Sequence, residues 1–303
     1  MVKKTIANVE EYSHACGSGR MEYVKYLPVA LAALVGAASI AIASWIGVAA
    51  LLVVVCALCG VVALGWPQLM GVTARKSLST VIMAAGVVAA VGAAIVTQVE
   101  SLFFWSSVSL AFGVMVVFMV QVVRGSGRPH RLESTRGACT GVVITTTAAG
   151  WIAGLRYPAG MMEAGDGAGL SALRVRGFVP YEDWEFLAVT GPGGELSVVA
   201  LSAFVMCVGT LAACVPARDA LVLPLIVLVS TASSVGVSLV WGELTLLFAG
   251  VLGVAGGVLL ASFRRFLFLQ GAPEKILSRL AVGAAPIAAM GALVYFTERL
   301  LFA

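Results

Sequence analysis

Two groups of hydroxyl side chains lie inside long apolar runs of the sequence. Thr140, Thr145, Thr146 and Thr147 form one. Ser230, Thr231, Ser233, Ser234 and Ser238 form the other, with Pro224 upstream in the same run. A hydroxyl in such a place bonds back to its own i−4 carbonyl or across to a neighbouring helix. It can also line a polar path, for which Thr145, Thr146, Ser230, Thr231 and Ser234 are the candidates. Pro224 favours a cavity nearby, because a proline inside a helix leaves a carbonyl free. Clustered cations offer a second chemistry. Arg124, Arg128, His130, Arg131 and Arg136 bracket one junction between apolar runs; Arg264, Arg265, Lys275 and Arg279 bracket another. Guanidinium groups grip phosphate through paired N–H bonds. Arg124, Arg128, Arg131, Arg136, Arg264, Arg265 and Arg279 are therefore candidate contacts for a lipid head group, although anchoring of loops to an anionic leaflet accounts for the same residues.

Other chemistries have no residues to carry them. Glu100, Asp219, Glu243 and Glu298 stand at the edges of apolar runs, and no carboxylate or histidine stands in the middle of one. That weighs against a carrier built on a buried carboxylate and against an intramembrane protease or metalloenzyme. No P-loop, nucleotide fingerprint, HExxH or GxSxG occurs. Cys56 and Cys59 make a CxxC, but within an apolar run, where they read as packing residues. His14 and Cys16 are too few to ligate a metal. None of the six cysteines falls in the long polar segment, which excludes a secreted disulfide scaffold. The expectation is no catalytic residue, no cofactor and no metal.

The elements that must position these groups follow from composition. Of 303 residues, 60 % are hydrophobic and 11 % charged, whereas soluble domains average about 25 % charged. Apolar windows of about 20 residues recur, each long enough to cross about 30 Å of hydrocarbon. The reading is an all-α, polytopic integral membrane bundle of about nine transmembrane helices: 27–45, 48–66, 81–96, 102–122, 138–155, 196–215, 220–240, 244–262 and 280–296. Trp45-Ile46-Gly47 is the turn of a tight first hairpin, and the polar leader with an immediate return span argues against a cleaved signal peptide. Trp45, Trp66, Trp105, Trp151 and Trp241 fall at span ends, where indoles anchor at the interface. Gly253 and Gly257 form a GxxxG that predicts close helix packing.

Charge orients the threading. With the N-terminus inside and the C-terminus outside, fifteen of the nineteen Lys and Arg lie inside, as the positive-inside rule requires. The basic balance then needs no nucleic acid. The organisation becomes a cytoplasmic tail at 1–26, a five-helix part at 27–155, an extracytoplasmic loop at 156–195 and a four-helix part at 196–303. The loop is too poor in apolar residues for a core of its own. Tyr181, Trp184 and Phe186 are its candidate surface for the outer leaflet or a partner.

Near the C-terminus a basic loop, Arg279 and then Ala284-Ala285-Pro286 before the last apolar run resemble the phosphatidate cytidylyltransferases, over about the last fifty residues. The resemblance implies formation of an activated liponucleotide in the bilayer. That family's signature carries Asp, Lys and a Gly/His-rich turn that hold metal and nucleotide phosphates. This chain reads LLASFRRFLFLQGAPEKILSRLA there, without Asp or His, so the resemblance implies an inactive relative.

The function expected is that of a non-enzymatic multi-pass protein of the cell envelope, in the plasma membrane. It would hold membrane lipids, anionic ones above all, or another membrane protein. A transporter or flippase for a small or amphiphilic solute is the alternative, and a lipid-processing enzyme or inactive cytidylyltransferase relative is a further one. The threading predicts that a cysteine replacing Gly169 labels with an impermeant maleimide from outside intact cells and that one replacing Ser126 does not; the reverse pattern overturns it.

Overall fold

The chain turns from its first helix into its second on a single residue, Gly47, whose φ of 131° is a conformation that side chains with a Cβ rarely adopt. The computed structural model describes residues 27–71, 75–96, 98, 101–124, 131–156, 198–215, 218–241, 246–270, 273 and 275–302. These hold nine helices: α1 Leu27–Ile46, α2 Val48–Leu69, α3 Arg75–Ile95, α4 Phe104–Arg124, α5 Arg131–Thr147 (resuming at 150–156), α6 Val198–Ala213, α7 Asp219–Trp241, α8 Leu246–Gln270 and α9 Ile276–Phe302. Eight are long and apolar enough to cross a membrane. The ninth, α6, has 16 residues and is about 24 Å long. The fold is an all-α, polytopic helical bundle. The tail at 1–26 and nearly all of the loop at 156–195 lie outside the described residues.

Contacts between helix ends sort them into two sets, and each helix runs opposite to the one before. At one end Trp66 stacks on Phe266, with centroids 5.9 Å apart, and Gly65 lies against Leu277 and Ala281. At the other, Phe103 stacks on Tyr295 at 5.1 Å and Arg156 donates to the Ala93 carbonyl at 2.7 Å. Lys76, Arg136, Arg218, Arg264, Arg265, Lys275 and Arg279 belong to the first set, and Arg156 and Arg299 to the second. The first set makes up the basic end of the bundle.

Several helices outrun their expected bounds. The one expected to stop at Ser262 continues through Arg264 and Arg265 to Gln270, and the last begins at Ile276 rather than Leu280. Hydropathy loses sight of a helix once charges enter it, whereas backbone hydrogen bonding continues. The tryptophans bring a second correction. Trp45 and Trp105 are exposed, but Trp66 and Trp151 are buried in the core. Each donates its indole N–H to a carbonyl of another helix, Trp66 to Gly137 at 3.0 Å and Trp151 to Ile287 at 2.8 Å. An indole whose N–H reaches a carbonyl can be buried without leaving a donor unsatisfied.

Helices α5 and α9 form the axis. In their apolar windows 72 % and 67 % of residues are buried, against 22–39 % in the other long helices. Helix α9 packs on α2, α5, α6 and α8, while α2, α3, α4 and α5 pack among themselves and α6, α7 and α8 do likewise. The second half of the chain thus lends its last helix to the core of the first. At the centre the backbones touch. A Cβ at Gly150 would overlap the Gly291 peptide, and one at Gly291 would lie 2.9 Å from the Thr147 carbonyl oxygen. Gly283 seats α9 against α1 in the same way, with Ala32 and Ala33 at its face. Between lipid-soaked helices such close approach is the main source of attraction.

Gly150→Ala is therefore expected to destabilise the bundle by about 1–3 kcal/mol through overpacking. Gly250→Ala, which meets nothing within 4 Å, should be neutral or slightly stabilising. Unfolding in mixed micelles followed by circular dichroism compares the two; equal effects contradict the packing account.

Candidate functional site

The threonine run of α5 ends in a break. Thr146 and Thr147 return their hydroxyls to carbonyls three and four residues back, Thr146 to Val142 at 2.9 Å and Thr147 to Val143 at 2.9 Å, a pattern that bends helices. At Ala148–Ala149 the backbone tightens to i→i+3 bonds, Ala149 N–H to the Thr146 carbonyl at 3.3 Å and Trp151 N–H to the Ala148 carbonyl at 3.2 Å. Carbonyls released by a break inside a bilayer must find donors. Here Ser106 of α4 donates to the Thr146 carbonyl at 2.7 Å and the Cys59 thiol of α2 to that of Thr145 at 3.5 Å. The Thr145 hydroxyl, fully buried, reaches the Ile82 carbonyl of α3 at 3.1 Å. Every hydroxyl of this cluster is engaged within the bundle.

The serines of α7 behave otherwise. Thr231, Ser233 and Ser238 bond back to their own helix. Ser230 and Ser234, one turn apart and fully buried, carry oxygens with no hydrogen-bond partner. They face the glycines of neighbouring helices. A Cβ at Gly253 of α8 would lie 2.6 Å from Thr231 Cα and 3.0 Å from Ser234 Cβ, and one at Gly257 would lie 2.7 Å from Val227 Cα. From α6, Gly209 meets the Ser230 hydroxyl. The GxxxG of α8 thus closes on α7 of its own chain. Thr145 and Thr146 sit among α2, α3 and α4, and Ser230, Thr231 and Ser234 between α6 and α8; the structure does not join the two clusters into one lining.

The third polar place is at the basic end. Arg264 of α8 has a side chain 11 % exposed. It donates to the Ala213 carbonyl that ends α6, and its Nε and Nη2 lie 3.4 Å from Asp219 Oδ1 at the start of α7. Its guanidinium lies 5.0 Å above the Phe268 ring, within cation–π range. Arg265 and Arg136 are exposed. Arg279 is half-buried and donates to the Pro273 carbonyl at 2.8 Å. Arg124 closes α4 and Arg131 opens α5 at the same end. Arg128, Tyr181, Trp184 and Phe186 lie outside the described residues. Of the other sequence features, Cys59 is buried and Cys56 half-buried, and no group of three His, Cys, Asp or Glu gathers among the described residues.

Sequence reasoning passed over three contacts. Ser106 and the Gln121–Ser134 pair, joined at 2.8 Å in a buried contact, were readable as polar residues on faces of apolar helices. The ion pair of Arg264 with Asp219, 45 residues apart, had no local signal. No protein-family model, no curated protein and no solved structure matches the chain. The likeness to the cytidylyltransferases rests on the quoted residues alone. The protein is a multi-pass membrane protein built as a helical bundle.

Engaged and unengaged hydroxyls should respond differently to removal. Thr145→Val is expected to cost about 0.5–1.5 kcal/mol for its interhelix bond. Ser230→Ala removes a buried oxygen without a partner and should be neutral or stabilising. A larger loss at Ser230 than at Thr145, in the same unfolding measurement, contradicts this assignment.

Proposed function

We propose that the protein is a non-enzymatic multi-pass protein of the cell envelope that holds a lipid or a partner protein in the plasma membrane. It crosses the membrane nine times, α6 included, with its N-terminus inside and its C-terminus outside. The observation that carries the reading is the crowding of exposed cations at one end of the bundle: Lys76, Arg136, Arg218, Arg265 and Lys275. These attract anionic lipid head groups and fit the positive-inside rule. The interior supports the same reading. The hydroxyls of α5 are taken up by helix carbonyls, and α5 meets α9 through bare backbone, which leaves little polar lining along that axis.

A transporter or flippase is the second reading, favoured by the unpartnered oxygens of Ser230 and Ser234 and by Pro224 inside the same helix. Purification in mild detergent with mass spectrometry of what accompanies the protein tests the first. A stoichiometric lipid or protein companion is expected; recovery of the bare chain overturns it.

A further inference from the structure

At the corner where α6, α7 and α8 meet, the basic end has a step. Helix α6 ends at Ala213 and α7 begins at Asp219, and both are tied to Arg264. Helix α8 continues six residues further, to Gln270, a rise of about 9 Å. Its overhang carries exposed Arg265, Phe268 and Leu269. Arg218, exposed, accepts at its carbonyl the N–H groups of Leu221 and Val222 and so opens α7. Below it Leu221, Leu225 and Leu228 recur at helical spacing and are 66 %, 37 % and 67 % exposed. Arg218, Arg264 and Arg265 thus gather at one corner, and among the described residues Asp219 is the acidic side chain there. Asp219 meets Arg264 at 3.4 Å, a length that leaves guanidinium N–H capacity for a further acceptor.

A step with arginines at its corner, continued by an apolar stripe, has the form of a phospholipid: a charged head above a chain. We propose that this step binds the phosphodiester head group of an anionic phospholipid, Arg218 and Arg265 meeting the phosphate oxygens, Arg264 backing them and one acyl chain lying along Leu221, Leu225 and Leu228. Guanidinium groups offer paired N–H contacts to phosphate, and the net positive charge of the corner selects an anionic head group over a zwitterionic one. The proposal rests on the lipid-holding reading above and gives it a place.

The test is native mass spectrometry of the full chain supplied with equal phosphatidylglycerol and phosphatidylcholine. The wild type should retain phosphatidylglycerol selectively. The double variant Arg218→Gln, Arg265→Gln should lose that preference about tenfold, the scale of a lost charged hydrogen bond. Lys76→Gln with Arg136→Gln, also at the basic end but among α3 and α5, should keep it. Both variants alter exposed side chains, and melting in phosphatidylcholine confirms that they fold. Undiminished preference in the first variant overturns this site while the lipid-holding reading stands. Equal loss in the second variant also overturns it, in favour of diffuse attraction to the whole basic end. A wild type that retains no anionic lipid overturns the site, and if no protein accompanies it either, the broader reading falls with it.

Discussion

Inside a bilayer, lipid chains are as apolar as leucine, so helices gain nothing by hiding apolar faces from them and must attract one another by close contact and hydrogen bonds. In this protein that constraint is met first at the seam of α5 and α9. Gly150 and Gly291 let the two backbones touch, and beside them Trp151 ties one helix to the Ile287 carbonyl of the other. The remaining helices attach to this pair. Helix α1 seats on Gly283 and α2 meets the start of α9 at Gly65. Helices α3 and α4 reach α5 through Ile82 and Ser106, while α6 and α8 flank α9.

The same seam explains why the α5 helix can break. A helix interrupted in hydrocarbon exposes backbone groups at several kcal/mol each unless neighbours satisfy them. The threonines before the break in α5 lie next to donors from α2 and α4, and the two residues of irregular backbone are buried, with Thr147 and Gly150 on either side of them against Gly291 of α9. The two hydroxyl clusters look alike as sequence yet have different roles. Those of α5 hold a discontinuous helix together, whereas Ser230 and Ser234 present small side chains to glycines so that α7 and α8 can approach. Small residues at a helix contact serve by their size, which is why two hydroxyls lacking partners are tolerated there.

Charge is handled by length as well as by position. Helix α6 is short, and Arg264, a side chain expected beyond the membrane, is instead drawn into α8 to close the carbonyl end of α6 and to pair with Asp219. A cation at a helix C-terminus is favoured by the helix dipole, and here it joins the end of α6 and the start of α7 to α8 at one point. The exposed cations around it are left to face solvent or head groups, and the interior holds little charge.

By itself, the sequence determined that the protein lives in a membrane, that its helices are about nine and roughly where each lies, and that basic residues collect at alternate junctions. These are local properties: partition of a 20-residue segment between water and hydrocarbon depends on that segment's own side chains. The close packing of the GxxxG was legible for the same reason. The tertiary structure alone decided that Trp66 and Trp151 face inward, that α8 runs on through its arginines, that the threonines of α5 are engaged and two serines of α7 are not. The inward tryptophans, the Thr145 bond to Ile82 and the ties of Arg264 each depend on a partner distant in the chain, as far as 136 positions from Trp151 to Ile287. No window of sequence contains both members of such a contact, and in lipid it is the contact, not the apolarity of either helix, that sets how they pack.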